Sequence, residues 1–98
     1  MSQPTEHLLA LADFNDARLD EDERTAHTAV DPERQLREIA AKRLLISSWR
    51  RLINQIAVEE DPAKRECLAL TRHGLDQFAH QMAAVHDAHP DYRQSWRP

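Results

Sequence analysis

The sequence predicts an all-α fold: three helices in an antiparallel, up-down-up bundle, with a short aromatic C-terminal tail. Three observations predict it. The 98 residues contain one Gly, so hairpin turns that need positive φ have few places to form. Charged residues make up 31%, and Ala, Leu, Arg, Glu and Gln recur, which is the composition of amphipathic helices. Apolar residues return at spacings of three and four rather than two. This length fits one domain. Aromatics are only 5%, so Ala, Leu and Ile have to do most of the packing.

The first helix is expected over about 5–27. Thr5 can cap it, with Glu6 in the first turn. Leu8, Leu11, Ala12, Asn15 and Leu19 form its stripe, flanked by Leu9 and Phe14. The run Asp20–Glu21–Asp22–Glu23–Arg24 then turns polar, which predicts a weakly packed second half.

Asp31-Pro32 starts the second helix, expected over 32–58. Asp caps, and Pro sits at the first helical position, where its missing N–H costs nothing. Ile39, Ile46 and Ile53 recur at intervals of seven, with Leu45, Trp49, Leu52 and Ile56 beside them. That stripe is wide enough for two neighbours. Asp61-Pro62 repeats the start device for a third helix, expected over 62–88. Its seam, Leu68, Thr71, Leu75, Phe78, Met82 and Val85, alternates three and four as coiled-coil seams do. Gly74 beside the seam marks either a close helix approach or a loose spot. Pro90 stops the helix near Ala88. The tail, 89–98, carries Tyr92 and Trp96, which either pack back on the bundle or face a partner.

Charge divides by segment. Residues 1–31 carry a net −6, residues 32–58 a net +4 and residues 59–98 a net −2. An antiparallel acidic–basic helix pair accounts for this. The overall charge of −4 disfavours nucleic-acid binding through the whole field. The N-terminal stretch does not read as a signal peptide. The single Cys67 excludes an intramolecular disulfide and fits a reducing compartment. With no apolar run near the about 20 residues that span a bilayer, the expectation is a cytoplasmic protein with no membrane contact.

The motifs that bear on chemistry are few. His86, His89 and Asp91 have a spacing that could hold a transition metal, but Pro90 breaks the element there, and no metal or cofactor is assigned. His73 and His80, seven apart, read as solvated or held by a neighbouring helix. The acidic run 20–23 reads as a solvated patch, and Cys67 as a structural thiol. No catalytic motif is present, so the chain is not read as an enzyme. Tyr92, Arg93, Trp96 and Arg97 are the candidate partner-binding residues, because Tyr, Trp and Arg dominate interface hot spots. Arg43, Arg50 and Arg51 could meet phosphates, although pairing with the acidic first helix explains them better. The excess stripe width predicts a homodimer through the second and third helices, with Ile46, Trp49, Ile53, Leu75, Phe78 and Met82 at its interface.

Three stretches, LDEDERTA at 19–26, DPERQLREIAAKRLL at 31–45 and HPDYRQSWRP at 89–98, resemble blocks of a family of short, uncharacterised actinobacterial proteins also met in phages of those bacteria. The resemblance covers about a third of the residues, and its C-terminal block is the most specific. The chain departs from the family where a Pro/Trp-containing insert often separates the first two blocks: here His27–Thr28–Ala29–Val30 joins them directly. The resemblance implies a bacterial or phage origin and a cytosolic setting, and no activity. The function expected is a non-enzymatic interaction module, an adaptor or modulator of a bacterial or phage protein. The alternative is a small DNA-associated regulator using the basic face of the middle helix.

Overall fold

The computed structural model describes residues 3–98, with side chains from Thr5 onward. It is all-α. Helix α1 spans Gln3–Thr25, α2 Pro32–Val58 and α3 Pro62–Ala84, with short 3₁₀ turns at Ala26–Thr28 and Gln94–Trp96. All three helices pack on one another, and there is no strand among the described residues. The molecule is elongated, 48 × 27 × 17 Å, because α2 alone carries 27 residues at ~1.5 Å each.

Both Asp-Pro starts act as caps. Asp31 Oδ1 accepts from the Arg34 amide at 3.1 Å, and Asp61 Oδ1 accepts from the Ala63 amide at 3.0 Å. The α2–α3 corner has a further tie. Arg65 reaches back to the Glu59 carbonyl through Nη2 at 2.6 Å and Nε at 3.0 Å. A cation on carbonyls just past a helix C-terminus satisfies acceptors that the helix leaves open. Thr5 does not cap α1, since the helix already begins at Gln3.

Helix α3 ends at Ala84, four residues before the expected Ala88. From there the backbone closes i→i+3 bonds: His86 to Ala83, Asp87 to Ala84 and His89 to His86. Pro90 has no N–H to give the His86 carbonyl an i→i+4 bond. The effect reaches a full turn upstream, and Val85, expected on the seam, is exposed.

The core joins Leu8, Leu11, Ala12, Phe14 and Leu19 of α1 to Ile39, Ile46, Trp49 and Ile53 of α2. From α3 it takes only Ala79 and Ala83. The expected 3–4 seam packs only in part: Leu75 and Met82 lie half-buried against this core, Leu68 and Phe78 are half-buried, and Thr71 is exposed. Small residues let α3 lie against α1 at backbone level, and Asn15 Nδ2 donates to the Ala79 carbonyl at 3.1 Å. The bulk that α3 omits comes from the tail, whose Tyr92 and Trp96 complete the core.

The α2 residues expected at a homodimer interface are not at the surface. Ile46, Trp49 and Ile53 lie in the chain's own core and offer no contact surface. The stripe on α2 is wide because it serves α1 and α3 together. The polar second half of α1 is mostly exposed from Asp20 onward, as expected.

Candidate functional site

The basic face of α2 is turned onto α1. Arg43 Nη2 donates to Asp20 Oδ1 at 2.8 Å and Glu23 Oε2 at 3.2 Å. Arg50 Nη2 donates to Asp13 Oδ1 at 2.8 Å and Asp16 Oδ2 at 2.6 Å. The order reverses along the two helices, so these bonds also fix their antiparallel register. The hydrogen bond to Asp20 leads the upward shift of the Arg43 pKa. For Arg50, burial opposes the charge, but the bonds to Asp16 and Asp13 outweigh it and the pKa still rises. Arg51 is exposed.

The tail turns inward. Tyr92 is 8% exposed and Trp96 2%. Both rings meet Phe14, at centroid distances of 5.8 Å and 5.1 Å, and they meet each other edge-on at 5.8 Å. His80 Nδ1 is 2.8 Å from the Trp96 carbonyl oxygen, so a protonated Nδ1 donates to it and latches the tail to α3. Of the four candidate partner-binding residues, the two rings are consumed by the fold. Hydrophobic burial, the largest favourable force available to an exposed indole, has a ready partner in Phe14. Arg93 and Arg97 stay at the surface, with the Arg93 guanidinium over the Trp96 ring at 5.2 Å.

His86 and His89 also face Phe14, at 6.4 Å and 5.7 Å. His89 Nδ1 lies 4.0 Å from Asp91 Oδ2. No three His, Cys, Asp or Glu side chains gather as metal ligands among the described residues. His7 stacks obliquely on His80 at 6.0 Å. Burial, then the charges of His80 and Arg93, lower its pKa from the ordinary 6.5.

Two features had little sequence signal. Arg18 is buried at 6% exposure, its guanidinium 4.9 Å from the Phe14 ring centroid and its Nη2 3.2 Å from Glu21. The i,i+4 spacing of Phe14 and Arg18 is the cue that could have found it. The second is a pair of exposed leucines, one on α2 and one on α3. Leu44 is 70% exposed and Leu70 73%. Leu44 precedes the buried Ile46 by two residues, and Leu70 precedes the buried Ala79 by nine. At ~100° per residue both point away from the core.

A family model described as a family of unknown function, DUF6221, matches residues 27–98. The chain belongs to that family. The match takes in α2, α3 and the tail, including the 31–45 and 89–98 stretches, while α1 and the 19–26 stretch precede it. No curated protein and no solved structure matches the chain. No described helix is long and apolar enough to cross a membrane.

Proposed function

We propose that this DUF6221 protein is a non-enzymatic helical interaction module, an adaptor or modulator of a bacterial or phage protein in the cytoplasm. The observation that supports the reading is the exposure of large aliphatic side chains on both α2 and α3, Leu44 and Leu70, each turned away from the core. Large exposed aliphatics cost solvation unless something covers them. The first partner to cover them is a second copy of the chain, giving a homodimer through α2 and α3. This dimer uses the outer surface around Leu44 and Leu70 rather than Ile46, Trp49 and Ile53, and leaves Leu75 and Met82 against the core.

Sedimentation equilibrium at about 100 µM tests the dimer. A dimer that becomes a monomer on combining Leu44→Glu with Leu70→Glu, at unchanged helical content, supports it. A wild-type monomer at that concentration overturns it. A heterologous partner docked on the same face is lost with the same double variant and retained by Arg93→Ala with Arg97→Ala.

The DNA-associated alternative draws on Arg43, Arg50 and Arg51. It has less support, because Arg43 and Arg50 are each committed to two α1 carboxylates. An electrophoretic shift at low salt that vanishes in Arg50→Ala with Arg51→Ala would favour it.

A further inference from the structure

The cleft between α1 and the C-terminal segment has a volume of about 520 Å³, and its walls include Phe14, Arg18, Tyr92, Arg93 and Trp96. Among the described residues, the buried side-chain polar atoms without a partner are Asn15 Oδ1, Arg18 Nε and Nη1, Tyr92 OH and Trp96 Nε1. Four of these five carry a hydrogen to donate, and all four belong to residues lining this cleft, with Arg18 bordering a second cleft beside Asn15 as well. Buried donors in folded proteins nearly always find an acceptor, and leaving them without one is costly. A concentration of such donors in one place indicates a missing acceptor.

We infer that this cleft is a binding site for a carboxylate, held by Arg18, Tyr92 and Trp96 with Arg93 at its mouth. This inference is independent of the exposed leucines. The sign of the ligand follows from the donors: two are guanidinium nitrogens, and a second guanidinium stands at the opening. Its charge follows from the rim, where Asp13 and Asp91 also line the cleft. Asp13 is paired with Arg50, but both carboxylates repel a phosphate dianion more than a monoanion. Glu21 takes the Arg18 Nη2 edge, which leaves the Nε and Nη1 hydrogens for a ligand. Ala10, Ala17 and Pro90 complete the walls, giving small apolar surfaces to the rest of the acid. The donors are buried, so the site requires a wall side chain to shift on binding, and Arg93 is an exposed residue of the cleft free to do so.

The two indole N–H groups make the test direct. Trp49 Nε1 is already bonded to Asp76, whereas Trp96 Nε1 has no partner. In ¹H–¹⁵N spectra of the full chain, sodium phenylacetate and acetyl-Gly-Asp-Gly-amide are each titrated to about 20 mM. The expected result is a saturable shift of the Trp96 indole resonance with the Trp49 resonance fixed. Tyr92→Phe, which removes only an unpartnered hydroxyl, weakens binding about five- to tenfold while the protein stays folded. A response to phenylacetate alone marks a free small acid, and one to the tripeptide marks an acidic side chain of a polypeptide; both uphold the carboxylate site. The inference is overturned if neither acid shifts Trp96, if 2-phenylethanol or sodium chloride shifts it equally, or if Tyr92→Phe leaves the affinity unchanged.

Discussion

The indole of Trp49 donates to Asp76 across 2.7 Å, tying the middle of α2 to the middle of α3. Trp49 is almost wholly buried, and the other Asp76 oxygen accepts from Arg72 Nε at 3.2 Å. Asp76→Ala removes the acceptor and strands a buried donor, a loss of about 1–3 kcal/mol. Asp76→Asn keeps an oxygen for the indole and is expected to cost less. Urea unfolding of the two variants, compared at equal m-value, checks the order.

The tail is a structural element, and its removal should be felt as such. Trp96→Ala is expected to cost about 3–5 kcal/mol, a large share of the 5–15 kcal/mol typical of a whole domain. Deleting residues 89–98 removes Tyr92 as well and should abolish a cooperative thermal transition by circular dichroism. Arg93→Ala and Arg97→Ala, at the surface, should stay within about 0.5 kcal/mol of wild type.

Gly74 lies inside α3, and a Cβ built there would meet nothing within 4 Å. The position is therefore the loose spot rather than a close helix approach. Gly74→Ala should stabilise by about 1 kcal/mol through helix propensity and a less free unfolded chain. For a domain this size that is about 4–8 °C in Tm, readable by calorimetry.

His7 gives the protein an acid-sensitive contact. Its pKa is lowered by burial and then by its electrostatic interactions with His80 and Arg93, with Glu6 its acidic chain neighbour. The unfolded chain therefore binds a proton at higher pH than the folded chain does, and stability rises with pH across that interval. The contribution is fully present above the ordinary 6.5 and is lost as pH falls through the lowered value. Urea midpoints measured from pH 7.5 down to pH 5 should decline, and His7→Gln should flatten the decline.

Much of the backbone was legible because its signals are local. Asp31-Pro32 and Asp61-Pro62 declare two helix starts by capping chemistry that needs no tertiary partner. The acidic and basic segments declared the α1–α2 pairing, and the ion pairs of Arg43 and Arg50 follow it. The end of α3 was misplaced because the missing amide of Pro90 loosens the helix one turn upstream as well as at the proline. The α3 seam packs only in part because spacing alone cannot tell that Ala79 and Ala83 are buried fully while Leu75 and Met82 reach the core only at half burial.

The sequence by itself determined three helices, the capping of the second and third and the antiparallel charge match, because these depend on neighbours within a turn or on sign along a segment. Tertiary structure alone decided that Tyr92 and Trp96 close the core, that Arg18 is buried beside them, and that Ile46, Trp49 and Ile53 face inward while Leu44 and Leu70 do not. The reason is that burial depends on which surfaces meet. Phe14 is 82 residues from Trp96 along the chain, yet their rings sit 5.1 Å apart, a contact that no local pattern encodes.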